Sequence, residues 1–447
     1  MGAHTVRTIS VRVIAQLPVY SMLDRKFILE NPQLVAENCR RRGVDVDVPR
    51  FVELETARRA KQLEVEQINR QANEVSKSIS KARDDAQREA SKAEGRRLRE
   101  LVAQAQAEAD RLAAEVDQLH KRIPNLTHPD APLGGANASR EVGRGKVAPP
   151  NFDFKPLDHV QLGERLNLLD FEGGAKVAGH GFYFLKNDAV LLELALQQFA
   201  VNTLIAEGFT PTITPDLARN EILEGIGFIP RGPETQIYSI DGSDLSLVAT
   251  AEITLGGLLS GETLDADQLP IRVCGISHCY RTEAGAHGRA TRGLYRVHQF
   301  TKVEMFAFTL PDQSDETLEY FRALECSIFD DLGLAYRVID TAAGDLGGPA
   351  YRKYDLEAWM PGRGEAGEFG EVTSTSNCTD YQARRLNIRY KLKGEKGTHF
   401  VHTLNGTAVA CSRAILAILE NYQQADGSVV VPEVLRPYMG KDRIGPA

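Results

Sequence analysis

Between Gly275 and Phe308 the chain reads GISHCYRTEAGAHGRATRGLYRVHQFTKVEMFAF, two apolar-flanked strands joined by a Gly- and Arg-rich loop. Residues two apart on a strand project from one face. By that period Arg281 sits with Glu283 on the first strand, and His298, Phe300, Lys302 and Glu304 share a face of the second. A fixed cation, an aromatic platform and carboxylates on one surface suit a nucleotide and a small ammonium compound. The loop from Ala284 to Tyr295 carries Gly285, Gly288, Gly293, Arg289 and Arg292 and no acid, a composition fit to touch phosphates. A hairpin without such a task turns in about two to five residues.

Three further stretches add to this. Thr250-Ala251-Glu252 ends the apolar run SLVATAE, Glu371-Val372-Thr373-Ser374 ends another, and HTLNGTAVACSRAILAILENYQ enters a helix with Arg413 near its start. Each alone reads as a solvated element end. Together with the basic hairpin they fit ATP, whose phosphates need cations, whose Mg2+ needs oxygen ligands and whose base needs a surface. Arg281 and Arg413 supply the first, Glu371 with Ser374 the second and Phe300 the third. An amino acid bound alongside brings its own nucleophile, a carboxylate, to the α-phosphorus. Catalysis then needs positioning and charge neutralisation rather than a base, consistent with a sequence that shows no Ser/His/Asp or paired-acid arrangement.

The elements that must hold these groups follow from pattern. At 447 residues and 42% hydrophobic content there is room for two or three domains. A net charge of −8 argues against coating nucleic acid by bulk electrostatics, though not against a local basic patch. Six cysteines without CxxC or zinc-type spacing read as reduced thiols of a cytoplasmic protein, with no zinc expected. No membrane segment is expected. Residues 1–21 are set apart as a disordered extension or a mis-set start, with Met22 as the working N-terminus, in preference to a transit peptide.

Asn31-Pro32 opens a helix that Gly43 closes. Ile68, Ala72, Val75, Ile79, Ala82 and Ala86, then Ala105, Ala109, Leu112, Val116, Leu119 and Ile123, repeat at spacings of four and three. With one glycine and no proline from Phe51 to Ile123, this predicts an antiparallel helical hairpin. Residues 77–99 around its tip hold eight basic and four acidic side chains. By charge alone such a run reads as a solvated helix surface. After a Gly/Pro-rich linker, strands are expected at 209–215, 246–249, 271–283, 296–308, 336–339, 354–359 and 369–374. Helices are expected at 191–207, 315–332, 377–389 and 407–421. Such an order argues for an antiparallel α+β sheet, and no P-loop or Rossmann fingerprint is present.

CYRTEAGAHGRATRGLYRVHQFTKVEMF resembles motif 2 of the class II aminoacyl-tRNA synthetases in the form found in the seryl-tRNA synthetases. VHTLNGTAVACSRAILAILENYQQADGSVVVPEVLRPYMG is similar to their motif 3 region, GFTPTITP with Pro215 to motif 1, and EVTSTSNCTDYQARRLNIRY and the TAE triplet match as well. The resemblance runs from Met22 to about Gly440. It implies an α+β, antiparallel-sheet class II catalytic core flanked by helices, with an N-terminal antiparallel α-helical coiled-coil hairpin. The implied division is extension 1–21, tRNA-binding arm 22–135, linker 136–155 and catalytic domain 156–447.

Residue by residue, the resemblance implies an ATP site of Arg281, Thr282, Glu283, Arg296, Val297, Phe300, Glu371, Val372, Thr373, Ser374 and Arg413. Arg281 would take the α-phosphate, Glu283 the adenine amino group, Phe300 the stacked base, and Arg413 the adenine and γ-phosphate. Glu371 and Ser374 would hold Mg2+ with ATP, and Arg281, Arg413 and Glu371 would be the catalytic set. Thr250, Ala251, Glu252, Arg281, Glu304 and Thr407 would bind L-serine. Pro215 would lie at a homodimer interface, and the arm would grip tRNA(Ser), with tRNA(Sec) a second candidate. The chain departs from the common pattern at TAVACSR, at Ala249 before the TAE triplet and at GIGFIPRGPE, which bears on packing under Arg413 and on contacts near Arg231. A ligase loading a carrier protein would have rebuilt the arm, and an inactive RNA-binding paralogue would have lost Arg281, Glu371 or Arg413. All are retained.

Overall fold

The computed structural model describes residues 23–80, 82–228, 236–284 and 293–445. The extension 1–21, Met22, Arg231 and most of the basic loop lie outside the described residues.

Helices α1 (Arg25–Glu30) and α2 (Pro32–Arg41) lead into the hairpin of α3 (Val48–Ile79) and α4 (Asp85–Arg122). Asp47 and Asp84 cap the two long helices, accepting from the amides of Arg50 and Gln87 at 2.8 and 2.7 Å. At 38 residues α4 reaches about 57 Å. Ala105, Ala109, Leu112 and Val116 are buried and Ile68, Ala72, Val75 and Ile79 half-buried, the seam the four-three spacing predicts. Ala86 is exposed, so the seam stops short of the tip. There Arg88, Lys92 and Arg97 pair with acids three residues earlier.

The arm's root is a core of its own, with Val35, Cys39, Phe51, Leu54, Leu112, Val116 and Ile123 packed with Tyr381 of the body. Arg42, 4% exposed, clasps the two parts. Its guanidinium donates to the carbonyls of Asn125, Ala350 and Gly347 at 3.0, 2.8 and 2.5 Å. Asn125 in turn donates to the carbonyls of Pro349 and Cys378.

The body is organised on one eight-stranded sheet. Its strands are β1 (Arg140–Arg144), β2 (Thr210–Ile213), β3 (Ile271–Tyr280), β4 (Gln299–Thr309), β5 (Tyr336–Asp340), β6 (Arg352–Met360), β7 (Glu368–Thr379) and β8 (His402–Ala410). They lie in the order β1-β5-β6-β7-β8-β4-β3-β2, antiparallel except for the β2/β3 pair at one edge. β1 falls inside the segment expected as linker, because its backbone caps the free edge of β5.

The two-residue period of β4 divides two cores. Val303, Met305 and Ala307 face α5 (Asp188–Ala206), α7 (Ser314–Asp331) and α8 (Cys411–Asn421), whereas Phe306 and Phe308 join a smaller core with α6 (Ala251–Gly257). Lys302 and Glu304 share the parity of Phe306. The site therefore opens on the face of the smaller core.

Two helix expectations need correction. Residues 407–410 continue β8 rather than opening a helix, since the buried TAV run completes pairing with β4 before Cys411 starts α8. Residues 377–379 belong to β7, and the helix expected from 377 is confined to Tyr381–Leu386. Helix α5 is long and apolar enough to cross a membrane. Seven of its residues nevertheless enter the core.

Candidate active site

One pocket gathers Thr250, Glu252, Arg281, Glu283, Arg296, Val297, Phe300, Glu304, Glu371, Val372, Thr373, Ser374, Thr407 and Arg413. Of the expected ligand contacts only Thr282 and Ala251 stay outside it. The Thr282 amide donates to the Gln236 carbonyl. Ala251, fully buried in α6, faces Gly275 of β3. Pro215 is exposed beside the β2 edge, away from the pocket.

At the floor, Lys302 (5% exposed) and Glu304 (2%) form an ion pair of 2.5 Å. The Lys302 ammonium also donates to Thr250 Oγ1 at 2.8 Å, and the Thr407 hydroxyl donates to Glu304 at 3.2 Å. Thr250 is placed by local chemistry as the N-cap of α6, its oxygen accepting from the Glu252 amide. Thr407 faces Glu304 because the two are register partners on β8 and β4. Glu252 accepts from Gln382 at 2.7 Å and Asn405 at 2.9 Å. Burial, with Glu304 nearby, pushes its carboxyl up to about 7.

Glu371 and Ser374 are three residues apart and would face opposite ways on a regular strand. The register of β7 against β6 slips between Glu371 and Thr373, leaving Val372 as an extra residue. That bulge returns Glu371 to the face of Ser374. Burial would raise the Glu371 carboxyl, but Arg413, Lys353 and Arg281 outweigh it and hold it below the usual carboxylate range.

The mouth is lined by paired charges. Glu283 binds Arg296, and Arg413 reaches both the side chain of Glu371 (3.2 Å) and the carbonyls of Glu371 and Tyr295 (2.9 and 3.2 Å). Arg281 lies 5.3 Å over the Phe300 ring and donates to the Ala249 carbonyl at 3.3 Å. Arg281 and Glu283 do not share a strand face as the two-residue period predicts. β3 ends at Tyr280 and Glu283 adopts φ +51°, a turn that carries both side chains into the pocket. His298, expected on the ligand face, instead stacks on Phe182 at 5.3 Å and bonds the Arg281 carbonyl at 2.8 Å, so it supports the turn.

Sequence reasoning missed Tyr295, Asn405, Ser412 and Phe228 as lining residues and gave Lys302 no ligand role. Lys302 and Asn405 were recoverable, each two residues from an assigned neighbour on the same strand. For Tyr295 no spacing signal existed. Among the described residues no three His, Cys, Asp or Glu side chains converge on a metal-holding cluster.

Known proteins match both the arm and the body of this chain. A profile described as "Seryl-tRNA synthetase N-terminal domain" matches residues 22–127, and "tRNA synthetase class II core domain (G, H, P, S and T)" matches 237–422. The serine–tRNA ligase of Rhodopirellula baltica is 65% identical over 94% of this chain and 99% of its own. That of Rubrobacter xylanophilus is 53% identical over 95% and 100%. Among solved structures, seryl-tRNA synthetase from Pyrococcus horikoshii complexed with ATP superposes with a TM-score of 0.86 at 39% identity, covering 95% of this chain and all of that one. With both its arm and its catalytic core matched over nearly full length, the chain belongs to the seryl-tRNA synthetase family, serine–tRNA ligases of class II.

Proposed function

We propose the following roles for the site residues of this seryl-tRNA synthetase. The floor takes L-serine, with Glu304 on its ammonium and Thr250 and Thr407 around its hydroxyl. Arg281, Arg296 and Arg413 take the phosphates of ATP, Phe300 carries the adenine, and Glu283 reads its amino group. The carboxylate oxygen of serine attacks the α-phosphorus, the bond to the bridging oxygen breaks and pyrophosphate leaves. Arg281 neutralises charge developing on the α-phosphate. A terminal ribose hydroxyl of tRNA then attacks the seryl carbonyl and AMP departs. The observation carrying this reading is the Lys302–Glu304 pair flanked by two hydroxyls at the bottom of a cleft mouthed by guanidiniums.

An ionised Glu371 and the hydroxyl of Ser374, placed on one face by the bulge, are hard oxygen donors that would hold Mg2+ with ATP. When bound, the ion neutralises phosphate charge. Alanine would leave the hydroxyl partners unpaired and be rejected strongly; threonine meets only a size limit, a weaker filter.

For the assembly we propose a homodimer through the β2 edge and the outer face of α5, with Pro215 in the contact. Ile213 on β2 is 85% and Leu194 on α5 57% exposed, and Ile205, Leu191 and Val190 of α5 are exposed as well. Six cysteines without a disulfide suit a cytoplasmic enzyme.

The test is serine-dependent ATP–pyrophosphate exchange across a panel of amino acids, then charging of tRNA(Ser) and tRNA(Sec). Exchange with serine and charging of tRNA(Ser) are expected; exchange without charging would favour a carrier ligase. An arm shortened between residues 68 and 102 should keep exchange and lose charging by about a hundredfold or more. Removing all of 51–122 would instead strip Phe51, Leu54, Leu112 and Val116 from the root core.

A further inference from the structure

We propose that His159, outside the pocket and assigned no role above, is a positioning residue for the ATP end of the site, acting with Glu420. This inference rests on the reading that the pocket mouth binds ATP.

His159 is buried at the start of the short helix His159–Arg165. The backbone amide of Leu294 donates to its Nε2 at 3.0 Å. Nε2 must therefore be the lone-pair nitrogen, and Nδ1 carries the proton that goes to Glu420 Oε1 at 2.8 Å. The same carboxylate oxygen accepts the His159 amide at 3.0 Å, and Glu420 Oε2 accepts the Gly362 amide at 2.7 Å. Glu420 belongs to α8, the helix that begins two residues before Arg413.

The dyad thus pins two backbone points, Leu294 and Gly362, to one core helix. The residue after each pinned point is a member of one stack. Tyr295 follows Leu294 and Arg363 follows Gly362, with the Arg363 guanidinium 4.2 Å and the Arg413 guanidinium 4.7 Å from the Tyr295 ring centre. Arg413 Nε also donates to the Tyr295 carbonyl, and Arg296, next in line, binds Glu283. Two of the three cations assigned to ATP phosphates take their position from this strut. Contact on the strut side is tight as well. Gly293 has φ +86°, and a Cβ there would stand 2.0 Å from His159 Nε2.

Two substitutions separate positioning from general stability. His159→Asn keeps a donor toward Glu420 but cannot reach the Leu294 amide, while His159→Gln presents an acceptor near the Nε2 position. Direct binding of ATP and of serine is measured by calorimetry on the full-length protein, with thermal unfolding alongside. His159→Asn is expected to weaken ATP binding about tenfold while serine binding changes less than about twofold. His159→Gln should restore most of the ATP affinity. Gly293→Ala, which crowds the same contact from the strut side, should reproduce the ATP-specific loss. Equal behaviour of the Asn and Gln variants, or parallel loss of serine affinity, would overturn the proposal while leaving the pocket's assignment intact. A wild-type protein that binds no ATP would overturn both.

Discussion

At the floor of the pocket Lys302 and Glu304 are 5% and 2% exposed and are tied to two threonines. At its mouth the Glu283–Arg296 pair keeps 17% and 30% of its side-chain surface, and the Glu371–Arg413 pair 44% and 19%. Both regions hold opposite charges in contact, but at different cost. A buried pair has lost its water, so removing one partner strands the other. A partly solvated pair contributes about 0–1 kcal/mol and can be opened cheaply. A ligand at the floor must fit charges that stay where they are. One at the mouth would meet pairs that are cheap to open.

The largest expected effect comes from breaking the floor. Lys302→Met should cost about 3–5 kcal/mol in urea unfolding and abolish serine-dependent exchange. A cost under about 1 kcal/mol would show that the floor exchanges partners as readily as the mouth. Next, Arg413→Lys keeps the charge but loses the planar fork that reaches Glu371 and the Tyr295 carbonyl together. It should lower kcat/KM for ATP by about thirtyfold, near 2 kcal/mol, and shift unfolding by less than about 0.5 kcal/mol. Loss of stability comparable to the loss of activity would erase the contrast.

An effect of similar size sharpens it through pH. Glu252, at the floor's edge, has its carboxyl raised to about 7 in the folded protein from an ordinary 4.5, first by burial and then by Glu304. The native state therefore binds more protons than the unfolded chain between those values. Its contribution to stability is full below about pH 4.5 and is lost as pH rises through about 7. Glu252→Gln keeps an acceptor for Gln382 and Asn405 and cannot ionise. Relative to wild type it should gain about 2 kcal/mol between pH 5 and pH 8. A constant difference across that range would mean that Glu252 is already ionised throughout in the folded protein.

Much of the fold was legible because periodicity reports burial directly. The four-three spacing from Ile68 to Ile79 and from Ala105 to Ile123 is the buried or half-buried seam of α3 and α4, and alternation along β4 separates Lys302 and Glu304 from Val303 and Met305. Legibility failed where a local break changes the period. The expected helix from Thr407 ignored that β8 must finish its pairing with β4 before a helix can start. Residues 140–144 looked like linker, since edge strands carry weak hydrophobic patterning and are recognised by their partner. Most of the residues that line the pocket are among those the sequence had singled out, chiefly from whole motifs rather than from geometry.

By itself the sequence determined which side chains were available, where the long helices run and which family the motifs resemble, because these depend on neighbours along the chain. Only the tertiary structure decided that Glu371 and Ser374 face the same way, since the extra residue at Val372 is defined by register against β6. It also decided that Arg42 and Asn125 weld the arm to the body through backbone carbonyls far away in sequence, and that Glu420 and His159 steady the strut beside Arg413. Apart from the His159–Glu420 bond, these contacts join distant segments through main-chain atoms, which every residue carries and which leave no signature in residue type.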